Sequence, residues 1–538
     1  MDRQRSATAA KVASGFCKSR RSRRDLIKQA AALGISLPMV GASLAASRSV
    51  AAQADGSIVI SLADEPLTLE NWNSFSIYGH PILRNIMEAL TNRDPATNEL
   101  VGELATSWER TDDLTWRFTL RPGVTFHNGE PLTAEVAAYG LNYTWDPANG
   151  FEILAILGPE LTAEAVDDLT LDVKTAEPDP ILPTRLYFSP LPSMKQLTED
   201  PESAVDNPIG TGPYKFVEWT RGQDVKITAN PDWWGDEAED AGGAVTIQDG
   251  TFVFRTESAV RAAQIVANEA QATHNLAPED CAVVPVCTSV PSIETLILRM
   301  DTMNEAMKDI RVRQAIAQAV DVKAAVEAVL PGSTAATQIY GPSALGYNDA
   351  LQPYPYDLEA AKALIQEAAA DGVPVDAPIT LVTTSSTARG AELVQYVANQ
   401  LQQIGLNASS KVIESAEFRP QVYGLGQDKV PADRGWIVLL QHGNELMDAS
   451  ASIDRYYSCN PDSDSTFCNP DIEKQIEAAR LLTGEERDKA YQELGALIQQ
   501  QYAIIPVAHL VINYGMVANL NWEPRMDAFM LLKEMSYS

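Results

Sequence analysis

At 538 residues the chain exceeds what one hydrophobic core supports, so two or three domains are expected. Its 45% hydrophobic and 21% charged residues are those of an ordinary globular protein, but a formal charge of -31 is not ordinary. Residues 1–54 hold ten Lys or Arg against Asp2 and Asp25, a net of +8, which leaves -39 on the remainder. Such a surface excludes nucleic acid and anionic lipid as partners, and suits either solubility or the attraction of a cationic solute.

In chain order, Ser22-Arg23-Arg24-Asp25-Leu26-Ile27-Lys28 comes first and resembles the twin-arginine export motif S-R-R-x-F-L-K, with Leu26 in place of Phe. The Ala-rich stretch Gln29 to Ala46, interrupted by Gly34, Pro38 and Gly41, is too weakly apolar for a membrane span. Ala52-Gln53-Ala54 is an A-x-A cleavage site. Residues 1–54 therefore read as a twin-arginine signal peptide, handled by the twin-arginine translocase, and the mature chain is expected to start at Asp55. Cys17 precedes the apolar stretch, so no lipoprotein is expected; a soluble periplasmic protein is. Four cysteines remain after cleavage: Cys281, Cys287, Cys459 and Cys468. An even count in an oxidising compartment suggests disulfides, and of three possible connectivities 281–287 and 459–468 close the shortest loops. Neither spacing is C-x-x-C and no His lies nearby, which argues against a metal site.

Ser57 to Leu62 reads as a strand, and Pro81 to Leu90 as a helix with Ile82, Ile86 and Leu90 on one face. Trp116, Phe118 and Leu120 alternate with polar residues, Pro122-Gly123 supplies a turn, and Val124 and Phe126 resume the alternation. The pattern predicts a hairpin, followed by a helix after Pro131 to Ala134. Asp167 to Lys174 is a further alternating strand, and Asp179 to Leu186 begins a helix. Gly210 to Phe216 (GTGPYKF) lacks the G-K-[ST] ending of a phosphate loop, and Pro213 removes an amide donor, so it reads as a turn feeding a strand.

These phrases carry a resemblance. LRPGVTFHNGEPLTAEV, together with Met87-Glu88-Ala89-Leu90, Glu103 to Glu109 (ELATSWE), GTGPYK and Asn230 to Gly235 (NPDWWG), resembles the family 5 bacterial solute-binding proteins. These are the extracytoplasmic receptors of dipeptide, oligopeptide and related ABC importers. The resemblance implies an α/β fold: a two-lobed periplasmic-binding-protein fold of type II, with hinge-linked lobes and an extra small α/β domain inserted in the first lobe. The expected division is 55–97 and 206–296 for lobe I, 98–205 for the small domain, 297–507 for lobe II, and 508–538 for the return to lobe I and the tail.

Lobe II is also legible from the residues. Val312, Ile316 and Val320 form a helix stripe, and Asp357 caps a second helix over Leu358 to Ala370. The strand Ile379 to Thr383, the helix Ala391 to Ile404, helices over Asp471 to Ala479 and Glu485 to Gln500, and the late strand Ala503 to Asn513 complete an alternating α/β pattern. The late strand is expected near the crossing back to lobe I.

No catalytic signature is present: G-x-S-x-G, H-E-x-x-H and a Walker phrase are all missing, and the five histidines are scattered. The family resemblance implies a monomeric, non-enzymatic receptor without a cofactor. It would capture a peptide or similar small solute between closing lobes and deliver it to an ABC permease and ATPase. In the peptide receptors an aspartate in a phrase like W-x-x-D-x-x-D-P holds the ligand ammonium. The matching region here is Trp436 to Cys459, and counting back from Cys459 puts Glu445 at the ammonium position. Asn444 is its competitor in an alignment shifted by one. Asp448 replaces the aspartate before Pro, Ala449 replaces that Pro, and His442 falls where an aromatic residue is expected. Arg389 and Arg419 are candidates for a ligand carboxylate. The same receptor role for a non-peptide solute (an oligosaccharide, an opine or a metal chelate) is the alternative.

Overall fold

A computed structural model describes residues 56–538 except 71, 73–78, 152, 237, 239–242, 388, 427–428 and 462. Arg23, Arg24 and the cleavage site lie outside the described residues. β1 (Ser57–Leu62) alternates as its sequence dictates, burying Ile58, Ile60 and Leu62. The helix that follows spans His80–Ile86, with Pro81 in its first turn, and stops short of the expected Leu90. A short pair, β2 (Thr91–Arg93) and β3 (Leu100–Gly102), leads into a four-stranded antiparallel sheet. Its strands are β4 (Ala105–Arg110), β5 (Thr115–Leu120), β6 (Leu161–Ala165) and β7 (Thr170–Thr175), in the order β4-β5-β7-β6.

Here the expected hairpin does not form. β5 pairs with β4 on one edge and β7 on the other, so no edge remains for Val124 to Phe126. That stretch is a loop bridged from Thr125 to Pro131, and Val124 and Phe126 bury their side chains from it. They join Phe118, Leu120, Leu171 and Val173 in the core under the helix Ala134–Trp145. The alternation reported burial correctly, although not the strand. Thr133 caps that helix, its side chain accepting from the Val136 amide.

β8 (Tyr214–Thr220), β9 (Asp224–Ala229), β10 (Asp249–Phe254) and the short β11 (Ala272–Thr273) join β1 in lobe I. β12 (Val286–Met300) then runs on into lobe II, where β13 (Thr334–Ala335), β14 (Ile379–Thr384), β15 (Ala408–Ile413) and β16 (Trp436–Gly443) follow. β17 (Ile504–Met516) returns. All belong to one sheet in the order β15-β14-β16-β12-β17-β11-β1-β10-β9-β8, with β13 also paired to β17.

β16 shows how lobe II is built. Ile437 and Leu439 face a core closed by the helices Ile310–Ala319, Leu358–Ala370 and Gly390–Gln403. Val438 and Leu440 face the opposite core, under helices Ala449–Tyr457, Pro470–Arg480 and Gly484–Gln499. Asp357 caps as expected, accepting from the Glu359 and Ala360 amides.

The two lobes are joined through β12 and β17, which pair antiparallel from Val286↔Met516 to Arg299↔Ile504. On the lobe I side β17 pairs with β11, and on the lobe II side β12 pairs with β16. The register slips between Pro291 and Thr295, where the neighbours change. Pro291 has no amide to donate, so the ladder loosens where two lobes need to move. The cysteines pair as Cys281–Cys287, beside the start of β12, and Cys459–Cys468 in lobe II.

Within lobe I the phrases that carry the resemblance converge. The Glu88 carboxylate accepts from Thr211 Oγ1 at 2.8 Å, Trp233 Nε1 at 3.0 Å and Trp234 Nε1 at 2.8 Å. Glu103 accepts from Arg84, the Ala89 amide and Asn92 at 2.8–2.9 Å. Gly210 and Gly212 lie against the end of the helix His80–Ile86, where an added Cβ would sit 2.2 and 2.7 Å from the Ile86 carbonyl oxygen. These phrases assemble a scaffold.

Candidate functional site

The turn between β16 and the helix Ala449–Tyr457 is where the lobes meet a cleft. Asn444 holds the turn from inside: its amide nitrogen donates to the Asp448 carbonyl at 3.0 Å and to Ser452 Oγ at 3.1 Å. Its side-chain oxygen accepts from the Asp448 amide, and Met447 takes a left-handed φ of 51°. Asp448 caps the helix through the Ser450 amide and is clamped by Arg487 in two hydrogen bonds, of 2.8 and 2.9 Å. His442 is buried, its Nε2 lying 2.7 Å from Ser452 Oγ and its ring edge-on to Tyr456. Burial holds its pKa well below the ordinary value, so the imidazole is neutral.

Glu445 differs from its neighbours. It lines a cleft of about 900 Å³, which lies between residues 158–185 of the small domain and 419–487 of lobe II. No Lys, Arg or His pairs with its carboxylate among the described residues. Burial pushes the carboxyl up to about 7, with its own backbone amide and Arg455 partly offsetting and Glu294 reinforcing the shift. Gly443 makes room for it, because an added Cβ there would lie 2.3 Å from Glu445 Oε1.

The rest of the cleft is lined by arginines. Arg185 binds Asp179 at 2.7 Å, Arg455 binds Asp464 at 2.5 Å, Arg480 binds Asp454 at 3.0 Å, and Arg487 holds Asp448. Arg419 also lines the cleft, with its guanidinium 5.8 Å from the Tyr423 ring centre. It has no carboxylate partner among the described residues. Arg389 is elsewhere: it is exposed, and pairs with Glu279 at 3.6 Å and Glu392 at 3.4 Å.

Of the candidates read from sequence, the structure thus places Glu445, His442 and Arg419 on the cleft, and commits the polar groups of Asn444 and Asp448 to the turn. Arg185, Arg455, Arg480, Arg487 and their carboxylates were not singled out. For Arg455 a signal existed, since Asp448, Ala451 and Arg455 share one helix face at i, i+3 and i+7. For Arg185, from another domain, the sequence offers none.

Two hinge-linked lobes around a charged cleft define a solute receptor of the periplasmic-binding-protein type. The chain belongs to the bacterial extracellular solute-binding proteins, family 5, whose middle-region model matches residues 99–464. It is 27% identical over 434 residues to a putative ABC transporter peptide-binding protein of Brucella ovis, covering 77% of this chain and 80% of that one. It is 25% identical over 470 residues to heme-binding protein A of Haemophilus influenzae, covering 80% and 82%. A periplasmic binding protein of Helicobacter pylori, solved with the peptide STSA, superposes with a TM-score of 0.74 at 19% identity, covering 90% of this chain and 98% of that one. Among the described residues no helix is long and apolar enough to cross a membrane.

Proposed function

We propose that the protein is the periplasmic receptor of an ABC importer and that it captures peptides by their free ammonium group at Glu445. The observation that carries this reading is a partly buried carboxylate on the cleft wall, without a cation of its own among the described residues. A buried charge needs a partner at short range, and a ligand ammonium supplies it. Arg419 faces the same cleft and suits the ligand's carboxylate end. Lobe closure buries the solute, and the loaded form is delivered to the permease and ATPase with no chemistry on the solute. In this reading residues 1–54 direct export through the twin-arginine translocase, and the mature monomer carries no lipid. Lobe I comprises 55–97 and 206–296, with the small domain at 98–205. Lobe II is 297–507, and 508–538 returns.

A thermal-shift screen with dipeptides, longer peptides and oligosaccharides tests this. A true ligand at 100 times its Kd stabilises the fold by about 2.7 kcal/mol. The expected result is a shift with free-amine peptides that N-acetylation abolishes. A shift with sugars or another non-peptide class alone would retain the receptor and remove Glu445 as an ammonium anchor.

A further inference from the structure

Behind Glu445 lies a second, smaller space. It measures about 50 Å³ and shares Glu445 with the large cleft. Ser292, Ile293 and Glu294 of β12 and Ile512 of β17 form one side, at the register slip between the lobes; Phe188, Met526 and Phe529 form the other. Two crossing strands therefore shape its wall, where lobe movement displaces atoms least.

We propose that this pocket receives the first side chain of the bound peptide and admits only small, non-acidic groups. The proposal rests on the ammonium anchor at Glu445. The Cα next to a ligand ammonium carries two substituents. With the peptide chain running into the 900 Å³ cleft, the side chain is left to the other space that Glu445 borders.

Size sets the first limit. A cavity of roughly 150 Å³ accommodates benzene, so one of about 50 Å³ fits one to three carbons and rejects an aromatic ring. Charge sets the second. Glu294 borders the pocket beside Glu445, its carboxylate accepting from Gln441 at 2.7 Å, and the two together oppose an acidic side chain. Asp527 adds little, because Arg525 at 2.9 Å and the Tyr187 hydroxyl at 2.6 Å already hold it. His80 is a neutral wall, stacked on Phe529 with ring centres 5.2 Å apart, and burial lowers its pKa to about 3.

The test is calorimetric titration of the purified protein with X-Ala-Ala tripeptides, X being Ala, Val, Phe, Trp or Asp, and with N-acetyl-Ala-Ala-Ala. Ala and Val are expected to bind within about threefold of each other, and Phe, Trp and Asp more weakly by about tenfold or more. Met526 is only partly buried and belongs to no core cluster, so Met526→Ala enlarges the pocket without emptying a core. It should bring Phe-Ala-Ala to within about threefold of Ala-Ala-Ala. If Phe and Trp bind as tightly as Ala while the acetylated peptide does not bind, the pocket assignment is overturned and the anchor stands. Failure of Met526→Ala to recover Phe-Ala-Ala overturns it too. If acetylation makes no difference, or no tripeptide binds, the anchor itself fails and the pocket assignment falls with it.

Discussion

Glu88 and Glu445 are both carboxyls that burial drives above the ordinary carboxylate range, yet they sit in opposite circumstances. Glu88 lies inside lobe I, where Thr211, Trp233 and Trp234 all donate to it. Glu445 lies on the cleft wall, where only its own backbone amide and the distant charge of Arg455 offset its burial. The same burial is compensated by three donors in the first case, and in the second leaves room for the ligand cation proposed above. A raised pKa therefore marks burial, and only the inventory of donors around the group separates a structural carboxylate from a receptive one.

The sharpest test of that contrast is Glu88→Ala. It strands two buried donors and one half-buried donor, each costing about 1–3 kcal/mol, so a loss of about 3–5 kcal/mol in urea unfolding is expected. Ligand affinity of the folded fraction should not change. A loss below about 1 kcal/mol would show that the donors find other acceptors and that the network does not hold the lobe. Glu445→Ala should behave in reverse: about 2–5 kcal/mol of binding free energy lost, with unfolding stability unchanged or slightly higher. Equal effects of both substitutions on binding would dissolve the distinction.

The same contrast explains what the sequence reveals. Glu88 belongs to short phrases whose spacing fixes a scaffold, and those phrases are what makes the fold recognisable. Local rules also place the Asp357 cap and the late strand β17, because each depends on neighbours within a few residues. The hairpin at Trp116 fails because its outcome is set by β4 and β7, partners that alternation alone cannot name. At the site, wording puts Glu445, Asn444 and Asp448 together as candidates. What sorts them is Arg487, 39 residues beyond Asp448, which claims that carboxylate. Likewise Asp179 and Arg185 reach the cleft from a different domain. Charge pairing over such distances leaves no local pattern.

Leu446, next to Glu445, extends the comparison to motion. Although it follows a lobe II strand, it is buried in the core that holds Phe118, Leu141 and Phe529, and Arg93 donates to its carbonyl at 3.0 Å. Removing most of that side chain should cost this seating of the turn on that core about 1.5–3 kcal/mol. Leu446→Ala is therefore expected to raise the radius of gyration in small-angle scattering and to weaken ligand binding about tenfold, by lowering the closed fraction. An unchanged radius with unchanged affinity would mean that closure does not depend on this contact.

The smallest effect is the dependence on pH. Glu445 has a folded pKa near 7, raised above the ordinary value of 4.5. A ligand cation binds its ionised form, so affinity is full above about 7 and falls by up to about tenfold per unit as pH drops below it. The unliganded fold has the opposite slope. A raised carboxyl favours the protonated native state, so this group's contribution to stability is greatest below 4.5, declines as pH rises towards 7, and is flat beyond. Glu294 is also raised by burial and faces the same pocket, while Arg455 pulls the Glu445 carboxyl down. Glu445→Gln should therefore leave a shallower affinity profile carried by Glu294, and Glu294→Gln should move the Glu445 transition to lower pH by removing a repelling charge. A binding constant that is level from pH 5 to 8 in the native protein would place the ligand's cation away from both carboxylates.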